Sequence, residues 1–83
     1  MKLVAYSKSA LKVLSRMPAN LSERITSKVE QYVADPRSQA NNVKALVGSP
    51  YIRLRAGDWR VIMDDQGTVL QVLEIGSRGD IYK

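Results

Sequence analysis

The chain has 83 residues, 45% of them hydrophobic and 25% charged, with a formal net charge of +5. That length suits a single small domain over 1-83, and with one Trp, four Tyr and no Phe its core must be mostly aliphatic. The lack of both cysteine and histidine excludes disulfides, thiolate nucleophiles, zinc chemistry and Ser-His-Asp hydrolysis, so neither a metal nor a cofactor is expected.

The opening "KLVAY", Lys2 to Tyr6, partly alternates and predicts a first strand. Ser7 can cap a helix from Lys8 to Arg16, in which Leu11 and Leu14 face inward with Ala10 or Met17. Lys8, Lys12 and Arg16 recur on another face of that helix, and a solvated surface accounts for them. Pro18 stops it. "NLSE" then reads as a capping box with Asn20 as N-cap and Glu23 reaching back. Leu21, Ile25, Val29, Tyr32 and Val33 make the apolar stripe of a second helix, which "ADP" ends at Ala34 to Pro36. The short break between the helices predicts an antiparallel pair.

Residues 37–42 are polar and without period, which reads as a loop, and Leu46 to Pro50 forms another break. Everything after it has strand character: "YIRLRA", "WRVIMDD", "TVLQVLEIG" and a short "DIY", with turns at Gly57-Asp58 and Gln66-Gly67. Gly48, Gly57, Gly67 and Gly76 all suggest unusual backbone angles. The fold class is therefore α+β: an N-terminal strand, an antiparallel helix pair, then an antiparallel β-meander whose one face the helices cover. No stretch reads as a signal peptide or a spanning helix, because Ser and Lys interrupt the N-terminal apolar run. A cytoplasmic protein is expected, with no membrane partner.

With Gly57-Asp58 as a two-residue loop, Ala56 opposes Trp59, Arg55 opposes Arg60, Leu54 opposes Val61, and Ile52 opposes Met63. Ile52, Leu54, Val61 and Met63 then face the helices, and Trp59 joins them in the core. Tyr51, Arg53, Arg55 and Arg60 share the other face, since a slip of one residue would bury arginines. Directly opposed like charges destabilise a strand pair by a few tenths of a kcal/mol or more, roughly. Solvation and resistance to edge-to-edge pairing are one explanation for such a face. A binding site for phosphate is the other: guanidinium forks fit phosphate oxygens bidentately, and Tyr51 offers a ring on which a base can stack. Asp58, Asp64, Asp65 and Asp80 read as turn residues. Glu74, the lone acid of an apolar strand, is a candidate ion-pair partner for an arginine.

The run "KALVGSPYIRLRAGDWRVIM" followed by "VLQVLEIGSRGDIY" resembles the RelE/ParE superfamily of bacterial toxins from type II toxin–antitoxin systems, nearly end to end. The resemblance, carried most specifically by "RLRAGDWRVI" and "IGSRGDIY", implies a RelE-like βααβββ(β) fold. Within that superfamily, RelE-type members are ribosome-dependent endoribonucleases that cut messenger RNA in the ribosomal A site, whereas ParE-type members poison DNA gyrase. The RelE branch is the better match. It implies catalytic roles for Arg60 at the scissile phosphate, Arg78 at the transition state and Tyr82 on the nucleotide, with Arg53 beside them. Arg55, Tyr51, Lys44 and Lys83 would bind the RNA. Arg53 and Tyr51 stand where better-known RelE enzymes carry lysines, which leaves Lys44, Lys83, Tyr82 or a ribosomal group as the base for attack by the 2′-hydroxyl. The resemblance also implies a cognate antitoxin that wraps the toxin and brings it to operator DNA as a hetero-oligomer. The alternatives are a ParE-like gyrase inhibitor and a degenerate toxin serving only as an antitoxin-bound co-repressor.

Overall fold

Ser7 explains why the first strand gives way to a helix where it does. In the structure, a computed structural model that describes residues 3–77, Ser7 is extended, and its Oγ accepts a hydrogen bond from the Ala10 N–H at 3.0 Å. This is N-cap geometry, satisfying one of the donors that a helix leaves unpaired at its start. Strand β1 therefore runs Leu3–Tyr6 and helix α1 Lys8–Arg16. Along α1 the inward stripe is Ala10, Val13, Leu14 and Met17. Leu11 is not part of it: at 52% exposed it corrects the expectation that it faces the core. The stripe follows i, i+3, i+4, i+7 from Ala10, which leaves Leu11 on the flank.

The capping box expected at Asn20 and Glu23 does not form. Helix α2 spans Ala19–Ala34 and starts behind Pro18, with no side-chain cap. The Pro18 carbonyl accepts the N–H groups of Leu21 and Ser22 at 3.0 and 3.1 Å. A proline has no N–H to leave unsatisfied, so the helix begins as soon as the chain clears it. Ile25, Val29 and Tyr32 are its buried face. The segment expected as a loop after Pro36 is instead a single 3₁₀ turn, Pro36–Gln39, capped by the Asp35 side chain on the Arg37 N–H.

A strand not foreseen follows, β2 at Val43–Ala45, then β3 at Ile52–Ala56, β4 at Trp59–Asp65 and β5 at Val69–Ser77. The sheet order is β1-β5-β4-β3-β2, with β1 parallel to β5 and every other pair antiparallel. The helices cover one face. Ala10, Ile25, Val29 and Tyr32 form a single buried cluster with Leu54, Val61, Met63, Leu70, Val72 and Ile75 of the sheet. The short strand expected at "DIY" lies outside the described residues.

Two backbone details set which side chains reach the open face. At the β3–β4 turn Gly57 has φ of +64° while Asp58 is not at positive φ. That is the type II′ pattern, whose twist matches the flanking strands. Gly76 is different from expectation: it sits at ordinary φ within β5, opposite Arg60. The second detail is a β-bulge. Ile62 pairs with Glu74 but Met63 pairs with Val72, so Leu73 is an extra residue in β5. Leu70, Val72 and Ile75 can all be buried for that reason, although Val72 and Ile75 are three apart.

Candidate nucleic-acid interface

Alternation along β3 sends Leu54 and Ala56 into the core and leaves Arg53 and Arg55 on the face away from the helices. The register is the one expected: Ala56 opposes Trp59, Arg55 opposes Arg60, Leu54 opposes Val61 and Ile52 opposes Met63. Strand β2 extends the face, since Lys44 lies opposite Arg53. Lys44, Arg53, Arg55 and Arg60 thus occupy neighbouring positions on three adjacent strands, with Tyr51 just before β3 and 38% exposed. Trp59 lies on the helix side, packed at the margin of the core.

The opposed pair Arg55 and Arg60 is kept apart by neutral acceptors. Arg60 Nη1 donates to the carbonyl oxygens of Gly57 and Trp59 at 3.3 and 3.2 Å, which draws it toward the hairpin. Arg55 Nη2 reaches Asn42 Oδ1 at 3.5 Å on the opposite side, toward β2. Neither acceptor carries a charge, so these bonds do not neutralise either guanidinium group against an incoming anion. Asn42 is itself held in a chain of amides, its Nδ2 donating to Gln39 Oε1 at 3.2 Å and Gln39 Nε2 donating to Gln31 Oε1 at 2.9 Å. Gln39, 4% exposed, is the buried polar residue that anchors this chain to α2. No pattern in the sequence pointed to these amides, because their partners are brought together by the 3₁₀ turn.

The face is not uniformly basic. Ile62 and Asp64 of β4 share it, and Glu74 of β5 stands opposite Ile62. Glu74, the candidate ion-pair partner, is exposed, and no hydrogen bond or ion pair joins it to another of the described residues. Asp64 accepts from Gln66 Nε2 at 3.0 Å, and Asp65 serves the turn by accepting the Gly67 N–H at 3.0 Å. Of the residues assigned to the site, Arg78, Tyr82 and Lys83 lie outside the described residues. The basic stripe Lys8, Lys12 and Arg16 is exposed on α1, the helix on the covered side of the sheet.

A model of the family described as ParE toxin of type II toxin-antitoxin system, parDE, matches residues 4–82. A search of curated protein sequences finds no match. Among solved structures, the archaeal RelE–RelB complex from Pyrococcus horikoshii OT3 is similar with a TM-score of 0.76 at 25% identity, over 95% of this chain and 97% of that one. The RelB–RelE antitoxin–toxin complex from Methanococcus jannaschii gives 0.75 at 20% identity, over 95% of each chain. The isolated E. coli RelE toxin gives 0.70 at 24% identity, over 99% of this chain and 92% of that one.

Proposed function

Because the chain belongs to the ParE toxin family of type II toxin–antitoxin systems, within the RelE/ParE superfamily, we propose that it is a RelE-like endoribonuclease acting in the cytoplasm on messenger RNA in the ribosomal A site. The observation that carries this reading is the gathering of Lys44, Arg53, Arg55 and Arg60 on the sheet face away from the helices, with Arg55 and Arg60 bonded to neutral oxygens. Such a face suits a polyanion, and its forks suit a single phosphate.

The reaction is attack by a ribose 2′-hydroxyl on its own 3′ phosphate. Arg60 holds the scissile phosphate, with Arg53 and Arg78 stabilising the dianionic phosphorane. Removing one such donor costs about a hundred- to thousandfold in rate. Tyr82 stacks on the nucleotide, and Lys44, Tyr51, Arg55 and Lys83 track the backbone and bases on either side. A cognate antitoxin wraps the toxin and withholds the face from RNA, consistent with the RelE–RelB complexes whose toxin fold this chain shares. Primer extension on one reporter message after brief induction tests the proposal, with the start codon intact and with it destroyed. Breaks within codons that vanish without translation are expected.

A ParE-like action on DNA gyrase is the second reading. It is favoured by the ParE description of the matching family and by Tyr51 and Arg53 at positions where better-known RelE enzymes carry lysine. Its outcome in the same experiment is an intact message in cells that induce the DNA-damage response.

A further inference from the structure

An arginine face can bind phosphate and stabilise a phosphorane, but it cannot take the proton that the 2′-hydroxyl must lose, since a guanidinium does not deprotonate in proteins. Among the described residues, two carboxylates share the open face, Asp64 and Glu74. Asp64 sits level with Gln71, farther along β4 from Arg60, and already accepts from Gln66. Glu74 has no such engagement.

The bulge puts Glu74 there. Leu70 and Val72 are buried, so strict alternation along β5 would carry position 74 into the core and Ile75 out to solvent. The extra residue Leu73 reverses this, and Ile75 is buried at 5% exposure while Glu74 opposes Ile62 on the arginine face. The reversal is pinned from outside the strand. Ser7 Oγ donates to the Leu73 carbonyl at 2.6 Å, and the Ser7 N–H donates to the Val72 carbonyl at 2.9 Å. Bulges commonly re-aim a side chain beside an active site. Arg60 faces Gly76, two residues beyond Glu74 on the same side of β5. Arg60 and Glu74 are therefore diagonal neighbours, about 7–8 Å apart at Cα, and Gly76 interposes no side chain between them. A phosphate seated between Arg60 and Arg53, which is level with Ile62 as Glu74 is, would place the adjoining ribose next to the Glu74 carboxylate.

We propose that Glu74 is the general base of the cleavage, a role that rests on the ribonuclease reading above. The carboxylate takes the 2′-hydroxyl proton as the O2′–P bond forms. The P–O5′ bond breaks and O5′ takes a proton from water, leaving a 2′,3′-cyclic phosphate and a 5′-hydroxyl. Glu74 then returns its proton to solvent. Among the described residues, the charged groups that face it are Arg60 and Asp64 on β4, with Arg53 and Lys44 on the strands beyond. Strand β1 ends at Tyr6, level with Val72, and places nothing opposite Glu74.

The test is single-turnover cleavage on programmed ribosomes as a function of pH, alongside binding to a message with a 2′-deoxy nucleotide at the cut site. Glu74→Gln should cut about 10²–10⁴-fold more slowly, lose the acid-side limb of the pH–rate profile and bind the deoxy message as the wild type does. Glu74→Asp should keep that limb with part of the rate. Lys44→Met should weaken binding and leave the limb in place. A Glu74→Gln protein that cuts at the wild-type rate, or whose loss of rate is matched by an equal loss of binding, overturns the assignment alone. A wild-type protein that cuts no ribosome-bound message overturns the nuclease reading, and this role with it.

Discussion

Arg55 and Arg60 oppose each other across a hairpin, and the sequence exposes that pairing because the apolar residues between them alternate cleanly. Ile52, Leu54, Val61 and Met63 admit one register in which no arginine is buried, and it is the register observed. Arg60→Ala should cut message about a hundred- to thousandfold more slowly and reduce the log–log salt slope of RNA binding by about 0.7, measured by titration at several salt concentrations. An Arg60→Ala protein with unchanged rate would remove Arg60 from the site. Glu74 was legible as an unusual acid but not as a member of this face, since period-two reading has no means of seeing an inserted residue. Tyr32 illustrates the same limit. Its apolar spacing in α2 is plain, whereas the hydrogen bond from its hydroxyl to Asp65 Oδ2 at 3.2 Å joins residues 33 apart. Burial first, then the Asp65 carboxylate, raises the Tyr32 pKa, and burial with Glu30 raises that of Tyr6. The folded state holds these protons more tightly than the unfolded one. Their contribution is therefore whole below the ordinary phenol value of about 10 and fades as pH climbs through the raised pKa. Urea melts at about pH 8 and about pH 11 should show stability falling, with a shallower fall in Tyr32→Phe. That variant should also lose about 1.5 kcal/mol at neutral pH.

Helix α1 could be read almost to the residue because a serine stands where a strand must end, whereas α2 was misread at its start. Asn20 and Glu23 have the spacing of a capping box, yet Pro18 already supplies the carbonyl that accepts the first two bonds of the helix. Asn20→Ala should accordingly change stability by less than about 0.5 kcal/mol. Ser7→Ala should cost at least about 1–2 kcal/mol, because Ser7 both caps α1 and holds the Leu73 carbonyl. Thermal melting of the two variants separates these expectations: a Ser7→Ala protein that melts with the wild type refutes the role given to Ser7, and an Asn20→Ala protein that melts as low as Ser7→Ala refutes the reading of Asn20. Strand β2 escaped notice because three residues carry too little alternation to register. The 3₁₀ turn before it has no apolar period at all, and its order comes from Asp35 and the amides of Gln31, Gln39 and Asn42.

Over the whole molecule, charge and topology divide the work between two sheet faces. The helices give one face a closed aliphatic core, and the other gathers Lys44, Arg53, Arg55 and Arg60 at neighbouring positions. With about three phosphates neutralised there, RNA affinity should fall with salt at a log–log slope near −2, from roughly 0.7 per contact on single strands. An affinity indifferent to salt would exclude the arginine face as the RNA site. The composition indicated a cationic surface without locating it; the location came from the hairpin register.

The parallel pairing of β1 with β5 bears on when a newly made toxin can act. Leu3–Tyr6 is synthesised before its partners, Val69–Val72, with both helices and three strands between them in the chain. Until those partners appear, Ser7 has no Leu73 carbonyl to grip and the bulge has no anchor. Closing so long a loop comes late in folding. On the ribonuclease function proposed above, the nascent chain should therefore stay harmless to the ribosome that is making it, giving an antitoxin time to arrive before the bulge and Glu74 are in place.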